Sequence, residues 1–227
     1  MKTEVKSGSA RKQSASYKIF LQILQGLYEG RYAPGQRLIE KDLTEEFQAT
    51  RFVVKDALKL LVFEGVAENN FYRSCHIPRL TRAEAAHIFI VMEWLFGLAA
   101  REAAKSEHLD ELGPTLRDAC AGLRAVRGDV DFFEFGRATS QYFRTIVKIS
   151  GNTELMRILP SLRVHLVRVQ FKGYPAVGDF NYVWKFERIA DAILARDPDG
   201  AESLMREHFR TMMENTNALP DRAFASR

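Results

Sequence analysis

Residues 40–66 read EKDLTEEFQATRFVVKDALKLLVFEGV, and this stretch decides the fold. Leu43 and Phe47 are four apart, which predicts a short helix over 40–47 with both side chains inward. Gln48-Ala49 make a tight break. Thr50 stands where an N-cap belongs, and Val53, Val54, Ala57, Leu58 and Leu61 recur at helical spacing until Gly65 stops the run. Two short helices joined by so tight a break read as a helix-turn-helix.

Upstream, Phe20, Ile23, Leu24 and Leu27 follow the i, i+3, i+4, i+7 pattern of an amphipathic helix beginning near Tyr17. Gly30 ends it and Pro34-Gly35 turn the chain. Downstream, Val66–Glu68 and Cys75–Ile77 are short extended runs separated by NNFYRS, which predicts a small hairpin. Three helices and a hairpin make a winged helix-turn-helix over residues 17–79. Residues 1–16 are Ser-rich and almost free of large apolar side chains, the composition of a disordered basic arm.

From Leu80 the pattern is helical. Thr81 and Glu84 have capping-box spacing and open a long helix reaching about Lys105. Further helices are predicted at about 109–127, 130–149, 152–171, 180–196 and 199–217, broken at Gly128, Ser150-Gly151, the GYPAVGD stretch and Asp197-Pro198. The expected fold class is therefore mainly α: a winged helix-turn-helix, then an all-helical bundle of about six helices over 80–217, with 218–227 as a tail.

Composition narrows the function. The net charge is +4, and residues 1–80 hold 13 basic and 9 acidic side chains, so the whole excess lies in the first third. A polyanion partner explains this; so does a basic arm, since Lys2, Lys6, Arg11 and Lys12 supply much of it. No run approaches the ~18 uninterrupted apolar residues of a membrane span; the nearest, Ile88–Ala100, contains Glu93. The N-terminus has no apolar signal region, and Cys75 and Cys120 form neither a CxxC pair nor a disulfide scaffold. A cytoplasmic location is expected. GxSxG, HExxH, P-loop and GxGxxG patterns are absent, so no enzyme is expected. His165, Arg163 and Arg168 lie close together, which reads as a solvated helix face.

A helix about 10–12 Å across fits the DNA major groove. The N-terminal end of the second helix of the pair meets base edges, and its backbone N–H groups favour phosphate. Thr50, Arg51 and Lys55 stand at that end, with Arg51 and Lys55 on one face and Phe52 able to touch a thymine methyl.

At these residues the chain resembles the GntR family of bacterial regulators. The likeness rests on Pro34-Gly35, Leu38-Ile39-Glu40, Leu43, TRFVVKDAL at 50–58, Leu61 and Glu64-Gly65-Val66, all at the family's spacing. It implies DNA contacts at Lys41, Thr50, Arg51, Phe52, Lys55 and, at the wing tip, Arg73. It also implies a homodimer on a palindromic double-stranded operator. Four positions depart from the pattern: Gln48 replaces the turn glycine, Val53 a proline, Lys55 an arginine and Ser74 the wing-tip glycine. Lysine lacks arginine's bidentate fork, so the operator sequence is expected to differ from that of relatives.

Residues 81–217 resemble the FadR-type ligand-binding and dimerisation domain of that family, through SGN at 150–152 and DAILARD at 191–197. Many relatives hold a divalent metal there through one Asp and three His. The resemblance places those positions at Ser140, Arg144, Phe186 and His208, of which only His208 is a ligand type. Arginine and phenylalanine offer a metal no lone pair, so no metal and no cofactor are expected. Arg144 is a fixed cation suited to a carboxylate. Met92 and Phe96 stand where relatives often carry Arg and Glu. The expectation is a small organic anion as effector, bound among Ser140, Arg144, Phe186, His208, Met92 and Phe96. The alternative is a filled, purely structural core. The function expected is that of a sequence-specific repressor, with effector control in the first case and without it in the second.

Overall fold

The computed structural model describes residues 14–69, 75–126, 132–174 and 183–226. The chain divides into two compact units: residues up to Arg79 with Arg163–Val169, and Leu80–Leu162 with Gln170 onward.

In the first unit, α1 (Ala15–Glu29) begins two residues before the expected Tyr17, because the Ser14 hydroxyl accepts from Tyr17 N and caps it. It buries Ile19, Phe20, Ile23, Leu24 and Leu27. The strand β1 (Arg37–Leu38) precedes α2 (Glu40–Glu46) and α3 (Arg51–Phe63). Then come β2 (Glu68–Asn69) and β3 (Cys75–His76), and the three strands form an antiparallel sheet in the order β1-β3-β2. The sequence reading missed β1: two residues between a Pro-Gly turn and a helix show no alternation. It also placed β2 two residues early, since Val66 and Ala67 are buried beneath the end of α3 before the strand begins. Val54, Ala57, Leu58 and Leu61 are buried as expected, whereas Phe47 and Val53 are only half-buried.

Arg163, His165 and Arg168 do not form a solvated face. Tyr28 Oη and His165 Nδ1 are 2.9 Å apart, Arg163 donates to Glu68, and all three side chains are half-buried. Burial pushes the Tyr28 phenol above its usual range, and Arg168 pulls partly the other way.

The second unit is built on α4 (Arg82–Lys105), which Thr81 and Glu84 start with a full capping box. It is followed in the chain by α5 (Leu109–Ala125), α6 (Phe132–Ile149), α7 (Thr153–Ile158), α8 (Val164–Phe171), α9 (Val183–Leu194) and α10 (Pro198–Asn217), of which α8 as far as Val169 belongs to the first unit. The single helix expected over 152–171 is instead broken into α7, a 3₁₀ turn at Leu159–Ser161 and α8. Pro160 supplies no N–H to continue α7, and Arg163 takes a left-handed φ of 57°. α4 packs along α10 closely enough that a Cβ on Gly97 would lie 2.7 Å from Arg206 Cγ. By length and composition α4 is apolar enough to cross a membrane. It is nevertheless the central helix of the bundle, with Phe89, Met92, Phe96, Ala99, Ala100 and Ala103 buried.

Residues 218–226 are not a loose tail. A 3₁₀ turn (Asp221–Ala223) follows α10, and Leu219, Ala223 and Phe224 are buried. The Arg82 guanidinium donates to Leu219 O and Asp221, each at 2.8 Å, and stacks 4.2 Å from the Phe224 ring. Ala225 N donates to Leu80 O at 2.9 Å.

Candidate nucleic-acid interface and the interior of the helical unit

The recognition-helix geometry follows from the turn between α2 and α3. Gln48 adopts φ 47°, the left-handed conformation that glycine takes without strain. The side chain lacks glycine's freedom, yet the turn keeps its shape because Leu43, Val54, Ala57 and Leu58 lock both helices onto a buried core. Thr50 Oγ1 accepts from Val53 N at 3.4 Å and starts α3. The inward face of α3 is fixed by that core, so its outward face is fixed too. Arg51, Phe52, Lys55 and Lys59 are exposed on it, and Thr50 and Lys41 are exposed beside it.

Phe52 is 73% exposed. Arg51 Nε donates to Glu40 Oε2 at 2.9 Å, and Lys41 Nζ lies 3.9 Å from Glu45 Oε1. Lys59 pairs with Asp56 at 3.0 Å. Of the six DNA-contact residues expected from the sequence, Lys41, Thr50, Arg51, Phe52 and Lys55 are all exposed. Arg73, with Ser74, lies outside the described residues.

The interior of the second unit differs from the expected effector site. Phe96, Tyr142, Phe143, Phe186, His208 and Phe209 pack as one ring cluster, all buried. Phe143 lies 4.7 Å from Phe96, 5.6 Å from Phe209 and 5.8 Å from Phe186, centroid to centroid. The His208 ring lies 5.0 Å from Phe186, tilted at 56°, and meets Phe209 edge-on at 5.1 Å. The Tyr142 hydroxyl donates to Phe186 O at 2.8 Å, and burial holds its phenol well above the usual range.

Met92, Phe96, Phe186 and His208 are therefore brought into or beside one interior, but Arg144 is not. It is exposed on α6, and Ser140 is half-buried one turn earlier. The helical phase explains the correction: Tyr142, Phe143, Ile146 and Val147 form the inward face, which leaves Arg144 turned outward. Beside His208 a shallow cleft bordered by Trp184, Arg188, Leu204 and Glu207 holds about 10 Å³, room for roughly one water. Among the described residues no three His, Cys, Asp or Glu side chains converge.

Sequence reasoning missed three features. Phe143 fills the centre of the cluster. Glu40 holds Arg51, although the two lie 11 positions apart. Ile90, Val91, Trp94 and Leu98 form an exposed apolar stripe on α4. Only the stripe had a legible signal, since Ile90, Trp94 and Leu98 recur at four-residue spacing on the face opposite Phe89, Met92 and Phe96. Between them, Glu93 is buried against α10, paired with Arg206 at 3.0 Å and Arg210 at 3.2 Å. Arg206 also lies 3.7 Å over the Trp94 ring.

A three-helix unit with a small sheet and an exposed basic recognition helix, followed by a helical bundle, is the architecture of a winged helix-turn-helix transcription regulator. The models for two families match in that order: bacterial regulatory proteins of the gntR family over residues 15–77, and the FCD domain over 87–211. The chain belongs to the gntR family, with an FCD domain, the architecture of its FadR-type members. A Streptomyces ambofaciens protein named as an HTH-type transcriptional regulator in an unstable DNA locus is 25% identical over 88% of this chain and 84% of its own. A Paenarthrobacter nicotinovorans protein, named "Probable D-xylose utilization operon transcriptional repressor", is 20% identical over 86% and 85%. Among solved structures, Escherichia coli McbR/YncC superposes with a TM-score of 0.69 at 18% identity, covering 87% of this chain and 94% of its own. A GntR-type regulator from Rhodococcus sp. gives 0.66 at 16%, covering 90% and 99%. These structural likenesses concern the fold. The family and these relatives are transcriptional regulators rather than enzymes, and the chain is a DNA-binding transcription regulator.

Proposed function

We propose that this regulator is a repressor that binds a palindromic operator as a homodimer through Thr50, Arg51, Phe52, Lys55 and Lys41, with Arg73 at the wing tip. The observation that carries this reading is the joint exposure of Arg51, Phe52 and Lys55 on the outward face of α3. The residues offer two kinds of base contact: a guanidinium for guanine and an apolar ring for a thymine methyl. Repression is favoured by the printed name of the Paenarthrobacter relative. DNA binding is assigned to residues 17–79, with 1–16 as a basic arm, and dimerisation to 80–217, in a cytoplasmic protein.

The stripe on α4 supports the dimer. Trp94 stands midway between Ile90 and Leu98. Two copies of α4 packed antiparallel about Trp94 would bring each Ile90 against the other copy's Leu98, a self-complementary contact of the kind a two-fold axis requires. Selection of the full-length protein on a random-sequence duplex pool tests the reading. Recovery of a two-fold symmetric site supports it; recovery of no consensus, or of an asymmetric one, contradicts it.

For the helical unit we favour the structural core over the effector site, because rings occupy the interior and Arg144 is exposed. Under this reading the unit holds no metal, and small organic anions leave the melting temperature unchanged. A carboxylate that raised it, with the rise lost in Arg144→Ala, would restore the sensor.

A further inference from the structure

We infer that Glu40 is a positioning residue for base recognition, acting by holding the guanidinium of Arg51 in one orientation. The inference rests on the assignment of Arg51 as a base reader. Glu40 opens α2 and Arg51 opens α3, so the contact spans the turn between the two helices. The Arg51 side chain is 76% exposed, yet its Nε is tied to Glu40 Oε2 at 2.9 Å.

An exposed pair of this kind contributes little to stability. A carboxylate beside a DNA-binding face also repels phosphate, so it weakens sequence-independent affinity. What the contact supplies is orientation. Arginine presents its donors in a rigid fork. With Nε engaged by the carboxylate, the end of the fork that carries both Nη groups remains to meet a guanine O6/N7 pair. The side chain's rotamer freedom is reduced before DNA arrives, which lowers the ordering cost on binding. Glu40 therefore trades non-specific affinity for discrimination.

The test compares affinity for the duplex selected by the wild-type protein with affinity for poly(dA-dT), which has no O6/N7 acceptor pair, at fixed salt, in the full-length chain. Glu40→Ala is expected to bind poly(dA-dT) more tightly and to lower the ratio of specific to non-specific affinity roughly tenfold. Glu40→Gln keeps an acceptor at the same reach and should recover part of that ratio. In an Arg51→Ala background, Glu40→Ala should leave the ratio unchanged. A structural role would lower the melting temperature and cut the ratio equally in both backgrounds, which would overturn the inference, as would a wild-type ratio in Glu40→Ala. A wild-type ratio in Arg51→Ala is a separate failure: it would remove the base-reading role of Arg51 itself.

Discussion

The ring of Phe186 lies 5.0 Å from the imidazole of His208, and Phe143 approaches the same pair at 5.8 and 6.2 Å. Among the described residues no three His, Cys, Asp or Glu side chains come together to hold a metal ion, and a single histidine does not retain one. Purified protein dialysed against zinc, nickel and manganese in turn is expected to carry well under one metal ion per chain by elemental analysis. One tightly held ion per chain would show that the ring cluster opens to form a site.

Gln48 stores strain at the turn before the recognition helix. A non-glycine residue in the left-handed region costs about 1–2 kcal/mol, which glycine avoids at some expense in unfolded-chain entropy. Gln48→Gly is expected to raise unfolding stability by roughly 0.5–1 kcal/mol in urea. A loss of stability would mean that the Gln48 side chain makes contacts worth more than the strain.

Both thiols predict an alkaline weakness. Burial, reinforced by Glu40, pushes Cys75 up to about 11; burial, reinforced chiefly by Glu187, pushes Cys120 to about 11. The unfolded chain loses these protons near its ordinary thiol value of 9.0, while the folded chain keeps them to about 11. The stability they contribute is complete below the unfolded value and lost as pH rises through the folded one. Urea midpoints should fall between about pH 9 and 11, and the fall should shrink in a Cys75→Ala, Cys120→Ala double variant. Equal falls in the two proteins would assign the effect to other groups.

Trp94 sits at the centre of the exposed stripe, so Trp94→Glu introduces two like charges at the proposed two-fold axis. Sedimentation velocity is expected to show wild-type dimer and mutant monomer at micromolar concentration, with melting of the bundle little changed. A mutant that remains dimeric would place the interface elsewhere.

Most of the first unit was legible because its signals are local. Thr50 as N-cap and the inward set from Val54 to Leu61 each depend on residues within a turn or two, as does the capping box at Thr81 and Glu84 that opens the second unit. Strand β1 was hidden because its partner, β3, lies nearly 40 positions away and neither strand exceeds two residues. The break at Pro160 was legible in principle, but apolar periodicity on either side masked it. In the second unit the family positions of Ser140, Arg144, Phe186 and His208 could be located by spacing, and their surroundings could not. Phe143 adjoins Arg144 in sequence, and helical phase alone decides which of the two enters the interior. The pairing of Glu40 with Arg51 joins two helices through side-chain reach, which no spacing rule encodes.

The most direct test of the account is the affinity of Arg51→Ala for the duplex that the wild-type protein selects. Arg51 is exposed and outside the core, so the variant should melt at the wild-type temperature. Fluorescence anisotropy titration is expected to show specific binding weaker by about 1–3 kcal/mol, with binding to poly(dA-dT) reduced far less. Wild-type affinity for the selected duplex in a fully folded Arg51→Ala protein would contradict the assignment of α3 as the helix that reads the operator.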